Sequence, residues 1–167
     1  LPDPIGPGSP LGLPGSEITI AEMLKQVGYS TAMIGKWHLG DKENYHPTSQ
    51  GFDSYYGMLY SHDYKYPYVK SDTTIKIFRN RTPEIWKPED SLLTRLYTNE
   101  ALELIEKQSA RQPFFLYLAY NMPHLPVAFA ASGSYSQSNM AGGPLGAVVK
   151  ETDSCLSVSS VGICGSP

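Results

Sequence analysis

The chain has 167 residues with 13 Lys plus Arg against 16 Asp plus Glu, a formal net charge of −3. That balance gives no electrostatic case for nucleic acid or an anionic membrane as partner, and no apolar run approaches the ~20 residues of a bilayer span. Fifteen glycines, 14 prolines and only two cysteines fit a loop-rich α/β or α+β protein and exclude both a helical bundle and a disulfide framework.

In chain order, residues 1–15 are rich in Gly and Pro and read as an irregular lead-in. The start, Leu1-Pro2, has neither Met nor signal peptide, so a processed or excised piece is expected. Thr19 followed by Glu22 is a capping box, with Ile20, Leu24 and Val27 on one helical face and Gly28 at the stop position. Tyr29 to Ile34 then reads as a short strand ending at Gly35. Asp41 to Asp90, rich in Tyr, Pro, Asp and Lys, reads as long loops with room for a small hairpin. Leu93, Tyr97, Ala101, Leu104 and Ile105 mark one face of a helix from about Ser91 to Gln108, closed off by Pro113. Phe114 to Tyr120 follows as a continuous apolar strand. Helix then strand, twice, predicts parallel strands covered by helices on both faces. From Gln112 to Val149 there is no charged residue, and Ala130 to Asn139 is a small-polar loop. The tail, 154–167, reads as an irregular segment.

Ligands of open parallel sheets sit beyond the carboxyl ends of the strands. After the first strand comes Gly35-Lys36-Trp37-His38-Leu39-Gly40, and after the second Asn121-Met122-Pro123-His124-Leu125-Pro126. Two of the four histidines therefore fall at strand ends, and an extended backbone would point Lys36 and His38 to one side. An ammonium and two imidazoles around one point suit a small dianion such as sulfate or phosphate and can protonate a leaving oxygen. The same residues also fit a solvated, Gly-flanked turn. His62-Asp63 is read as structural rather than as a metal pair, and His46 before Pro47 as a turn residue. Most of the tyrosines between 55 and 68 are read as partly buried loop anchors with hydroxyls in water. Asn80-Arg81-Thr82 is a glycosylation sequon.

Gly28-Tyr-Ser-Thr-Ala-Met-Ile-Gly-Lys-Trp-His-Leu-Gly40 resembles, nearly letter for letter, the second signature of the sulfatase family. Glu17 to Leu24 looks like the helix that precedes it. Gln50-Gly-Phe-Asp53 and Gly57-Met-Leu-Tyr-Ser-His-Asp63 resemble the loop after it in arylsulfatase A-like members. Pro113 to Tyr120 with Pro123-His124-Leu-Pro126 resembles the next strand and its histidine, and Gly142 to Asp153 the start of the following helix. The resemblance implies an α/β fold: a partial parallel sheet flanked by helices, as in alkaline phosphatases and sulfatases, within an incomplete domain. Residues 1–153 would be a segment of the catalytic domain, and 154–167 an unrelated tail.

The implied activity is sulfuric ester hydrolysis, in which a cysteine oxidised to formylglycine attacks sulfur while a calcium ion polarises the sulfate. Carried over by resemblance, Lys36 bridges nucleophile and sulfate. His38 hydrogen-bonds the formylglycine hydroxyl, Ser61 lines the substrate site, and His124 helps the alcohol depart. Neither Cys155 nor Cys164 stands in the Cys-x-Pro/Ser-x-Arg motif of the nucleophile, and no Asp-Asn pair for the metal occurs. The expectation is an internal segment, inactive by itself, of an enzyme that hydrolyses sulfate esters. The alternative is a non-catalytic fragment that at most binds sulfated ligands or a partner. The resemblance implies a small sulfate ester, a sulfated glycan or a sulfolipid as ligand, and a secretory, lysosomal or extracellular location. It leaves the specific ester and the oligomeric state open.

Overall fold

The computed structural model describes residues 5–66, 75–108, 112–128 and 143–156, the last with side chains to 154. Among them, five strands form one mixed sheet in the order β4-β3-β2-β1-β5. They are β1 (Ser30–Gly35), β2 (Ser54–Gly57), β3 (Lys76–Arg79), β4 (Thr82–Trp86) and β5 (Phe114–Ala119). Helices α1 (Ile20–Gln26), α2 (Leu93–Lys107) and α3 (Gly143–Leu156) complete the order.

The first unit forms as its sequence dictates. Thr19 Oγ1 accepts from the Glu22 backbone N–H at 3.1 Å, and the Glu22 carboxylate accepts from the Thr19 N–H at 2.7 Å. Two of the helix's unsatisfied donors are thereby paired. Gly28, at φ 90°, takes the left-handed conformation that ends the helix and turns the chain into β1. The expected parallel pairing is present: Ser30 to Gly35 lie in register with Phe114 to Ala119.

The stretch from Asp41 to Asp90 carries the small hairpin expected of it but is more regular than long loops. It supplies three of the five strands: β2, parallel to β1, and the antiparallel hairpin β3–β4. The tyrosines of β2 are core residues. Tyr55 is fully buried and donates its hydroxyl to the Gly35 carbonyl at 3.4 Å, and Tyr56 packs against Tyr97. Tyr66 alone of those described is strongly exposed; Tyr68 lies outside the described residues, as do Ala130 to Asn139 and 157–167.

Alternation along the strands sends side chains to two clusters. Ile34, Tyr56 and Ile77 meet Leu93, Tyr97 and Ala101 of α2 on one face. Met33, Tyr55, Trp37 and Phe52 meet Ala21 of α1 on the other. Helix α3 packs on α2, and its Ala147 and Val148 are buried. It continues through Leu156, across the boundary expected at 153. Strand β5, an apolar run expected to be covered on both faces, is partly exposed; β1 is its only strand neighbour among the described residues.

Candidate functional site

The site is built where β1 ends, between its neighbours β2 and β5. Beyond Gly35 the main chain of β1 keeps company with both neighbours. Lys36 N donates to the Ala119 carbonyl at 2.8 Å, Trp37 N to Met58 at 3.0 Å, and His38 N to Leu59 at 2.9 Å. A Cβ at Gly35, where φ is 113°, would fall 1.9 Å from the Ala119 carbonyl oxygen, and one at Gly57 would fall 1.9 Å from the Gly35 carbonyl oxygen. Only glycine allows this three-strand approach. Trp37 turns to the α1 face, its ring edge on Phe52 and its indole N–H donated to the Tyr45 carbonyl at 2.8 Å.

Lys36 and His38 come together, but not on an extended backbone. His38 has φ 61°, in the left-handed region that His enters more readily than most residues. Its ring stands edge-on between Tyr60 and Tyr64, with centroids 5.6 and 5.7 Å away, and Nε2 lies 3.4 Å from the Tyr64 hydroxyl. Burial, and then the positive charges of Lys36 and His124, push the His38 imidazole below its ordinary pKa, against the pull of the Ile5 backbone and Asp63. Burial likewise lowers the Lys36 ammonium, opposed by Asp63. The phenol of Tyr60 is pushed up by burial and by the nearby Asp41 carboxylate.

Flanking loops add the rest. Ser61, after β2, is fully buried and places Oγ 3.4 Å from His124 Nδ1. That nitrogen is also 2.6 Å from the Leu125 carbonyl. A carbonyl can only accept, so Nδ1 carries a proton and Nε2 is the atom left for chemistry. His124 is solvent-exposed rather than enclosed. Fully buried His62 donates Nε2–H to the Pro126 carbonyl at 2.8 Å and sets its ring against His124 at 5.9 Å. His62 thus clips the loop after β2 to the loop after β5, a structural role as expected. Asp63 is more than structural, since its charge bears on both Lys36 and His38. Its position two residues beyond Ser61 is the only sequence signal for this. His46 caps the turn at Pro47, accepting from the Thr48 N–H at 3.2 Å.

Lys36, His38 and His124, with Asp63 acting on the first two, gather at one edge of the sheet. They do not make a calcium site. Calcium takes roughly six to eight oxygen ligands, and among the described residues no three His, Cys, Asp or Glu are grouped to hold a metal. No described helix is long and apolar enough to cross a membrane.

The family model described as Sulfatase matches residues 5–145. N-acetylgalactosamine-6-sulfatase of Mus musculus is 40% identical over 126 residues, which are 70% of this chain and 24% of that protein. Arylsulfatase G of Canis lupus familiaris is 32% identical over 171 residues, 87% of this chain and 31% of its own. This chain therefore spans between a quarter and a third of these relatives. Among solved structures, Ps i-CgsB in complex with k-i-k-neocarrahexaose superposes with a TM-score of 0.69 at 26% identity, over 89% of this chain and 37% of that one. The PsFucS1 sulfatase from Pseudoalteromonas sp. gives 0.73 over 91% and 36%; at 22% identity it speaks to the fold alone.

Proposed function

The chain belongs to the sulfatase family, and from that premise we propose that it forms part of a sulfuric ester hydrolase, contributing the sulfate-holding half of the site. The observation that carries this reading is the convergence of Lys36, His38 and His124 from two neighbouring parallel strands onto one sheet edge. Lys36, held as an ammonium with help from Asp63, neutralises charge on sulfate oxygens. His38, whose pKa is lowered by burial, is biased towards the neutral form that has a lone pair to accept a proton. His124 acts at the ester oxygen through Nε2. As a nucleophile from outside these residues bonds to sulfur and the bond from sulfur to the alcohol oxygen breaks, that bond's electron pair goes to the alcohol oxygen, which takes the Nε2 proton of the His124 imidazolium, the form in which both ring nitrogens carry hydrogen. Ser61 fixes the His124 ring from below. Exposure of His124 lets water restore that proton.

The family's formylglycine and calcium are assigned to residues outside these 167, because no motif here supplies the first and no described cluster fits the second. No step above passes through the metal. Sulfated sugar is the favoured substrate class, supported by the names of N-acetylgalactosamine-6-sulfatase and of the complex with neocarrahexaose. A secretory, lysosomal or extracellular setting is proposed on family grounds.

The test is a paired one on the 167-residue chain. Titration with inorganic sulfate, followed by NMR, should show binding that weakens at least tenfold in Lys36→Ala/His38→Ala. Hydrolysis of a chromogenic arylsulfate should be no faster for wild type than for that double variant. Unchanged sulfate binding in the double variant would overturn the anion site. Calcium-dependent turnover by the wild-type chain would overturn the assignment of nucleophile and metal elsewhere.

A further inference from the structure

The hairpin β3–β4 carries the only Asn-x-Ser/Thr sequence in the chain, Asn80-Arg81-Thr82. Such triplets arise often by chance, so the question is whether the fold leaves this one usable. Asn80 and Arg81 form the tip of the hairpin, and Asn80, Arg81 and Thr82 are all exposed. Asn80 sits at φ 52°, a left-handed turn position that Asn tolerates better than most residues. Its main-chain N–H donates to the Tyr55 carbonyl at 2.7 Å, and its side-chain Oδ1 accepts from the Tyr55 N–H at 2.9 Å. These two bonds fix the amide plane by its oxygen. The amide nitrogen, Nδ2, has no hydrogen-bond partner among the described residues and belongs to a solvent-exposed side chain.

The position in the sheet matters as much. Register pairs Gly57 with Phe78 and Tyr56 with Arg79, so the hairpin tip lies level with the start of β2. The sulfate site lies beyond the ends of β1 and β2. A large group on Asn80 would therefore stand at the opposite edge and leave Lys36, His38 and His124 open. Arg81 holds the tip to the body by donating to Ser49 Oγ at 2.7 Å. Pro83 keeps Thr82 extended at the start of β4.

We infer that Asn80 is an N-glycosylation site, taking an oligosaccharide from a polyprenyl-diphosphate donor. Nδ2 forms a bond to the anomeric carbon of the first sugar and loses one hydrogen as a proton. The bond from that carbon to the diphosphate oxygen breaks, and the diphosphate leaves with the electron pair. Oδ1 is untouched, so its bond to the Tyr55 N–H survives the modification. The inference rests on the secretory setting proposed above but not on the hydrolysis of any ester.

The full chain is expressed behind a secretion leader in a eukaryotic cell, beside Asn80→Gln, Thr82→Ala and Thr82→Ser. Wild type and Thr82→Ser should each migrate as a species carrying one glycan, collapsed by peptide N-glycosidase F, with Asn80 converted to Asp in the digested peptide. Asn80→Gln and Thr82→Ala should show no shift. Thr82→Ala leaves the Asn80–Tyr55 bonds in place, so its loss of the glycan cannot be blamed on a damaged turn. Absence of a glycan on wild type, or its persistence in Asn80→Gln, would overturn the assignment.

Discussion

The two faces of the sheet are closed by different means. On the α2 face, a 15-residue helix lays Leu93, Tyr97 and Ala101 on Ile34, Tyr56 and Ile77, and all six are buried. On the other face, α1 is seven residues long and buries only Ala21. Its Ile20, Met23 and Val27 remain 65, 58 and 68% exposed. Polar bonds hold that helix instead: Thr19 Oγ1 donates to the Gln50 carbonyl at 2.9 Å, and Lys25 pairs with Asp53, which itself accepts from the Thr31 N–H. On the α2 face the helix itself supplies apolar area removed from water; on the other the buried core comes from Met33, Trp37, Phe52 and Tyr55, and α1 is held chiefly by a few directed contacts.

The largest effect that would sharpen this contrast is Tyr97→Ala. It removes a fully buried ring and the 3.0 Å bond from its hydroxyl to Asn121 Oδ1, so a loss of about 4 kcal/mol is expected. Met23→Ser, on the exposed side of α1, should stay within about 0.5 kcal/mol of wild type. Urea denaturation of both variants measures the gap, and equal losses would break the comparison.

Acid should loosen the α1 face through His46. This imidazole stands edge-on to Tyr55, 5.3 Å between ring centres, and burial, with Arg81 nearby, holds its pKa down from 6.5 to about 4. The folded form thus binds its proton more weakly than the unfolded chain does. Stability from this group is complete above pH ~6.5 and is lost as pH falls towards 4, by at most about 3 kcal/mol. His46→Asn keeps an acceptor for the Thr48 N–H and removes the titration. Melting temperatures between pH 7.5 and 4 should therefore fall less steeply in the variant than in wild type.

The smallest effect is at the cap. Thr19→Ala removes the acceptor for the Glu22 N–H and the donor to Gln50, and about 1 kcal/mol is expected. Chemical denaturation resolves it. A loss smaller than that of Met23→Ser would show that α1 is held by its apolar side after all.

Much of this was legible because helix and strand each leave a periodic or positional mark. Thr19 and Glu22 announced α1, Gly28 its end, and the spacing of Leu93, Tyr97 and Ala101 the packed side of α2. Strand-end placement brought Lys36, His38 and His124 to one edge before any coordinates. Strand β2 left no such mark. Four residues, two of them tyrosines inside a polar stretch, are too few to show alternation, and their pairing is fixed by β1 and β3 rather than by local preference. The exposure of Ile20 and Val27 was equally hidden, since a pattern tells which residues share a side and not what lies against it. The roles of Tyr64 and Asp63 depend on the left-handed turn at His38, which no spacing rule foretells.

The close meeting at Gly35 and Gly57 has a further consequence. A methyl group at position 57 would occupy the space of the Gly35 carbonyl oxygen, and one at position 35 that of the Ala119 carbonyl. Each clash is with main chain, which cannot swing aside as a side-chain tip can. A substitution in β2 that touches no ligand would thus be transmitted across the ladder as a displacement of the peptide just before Lys36. The three strands behave here like a gear train without slack, so a glycine distant from Lys36 in sequence governs where Lys36 stands.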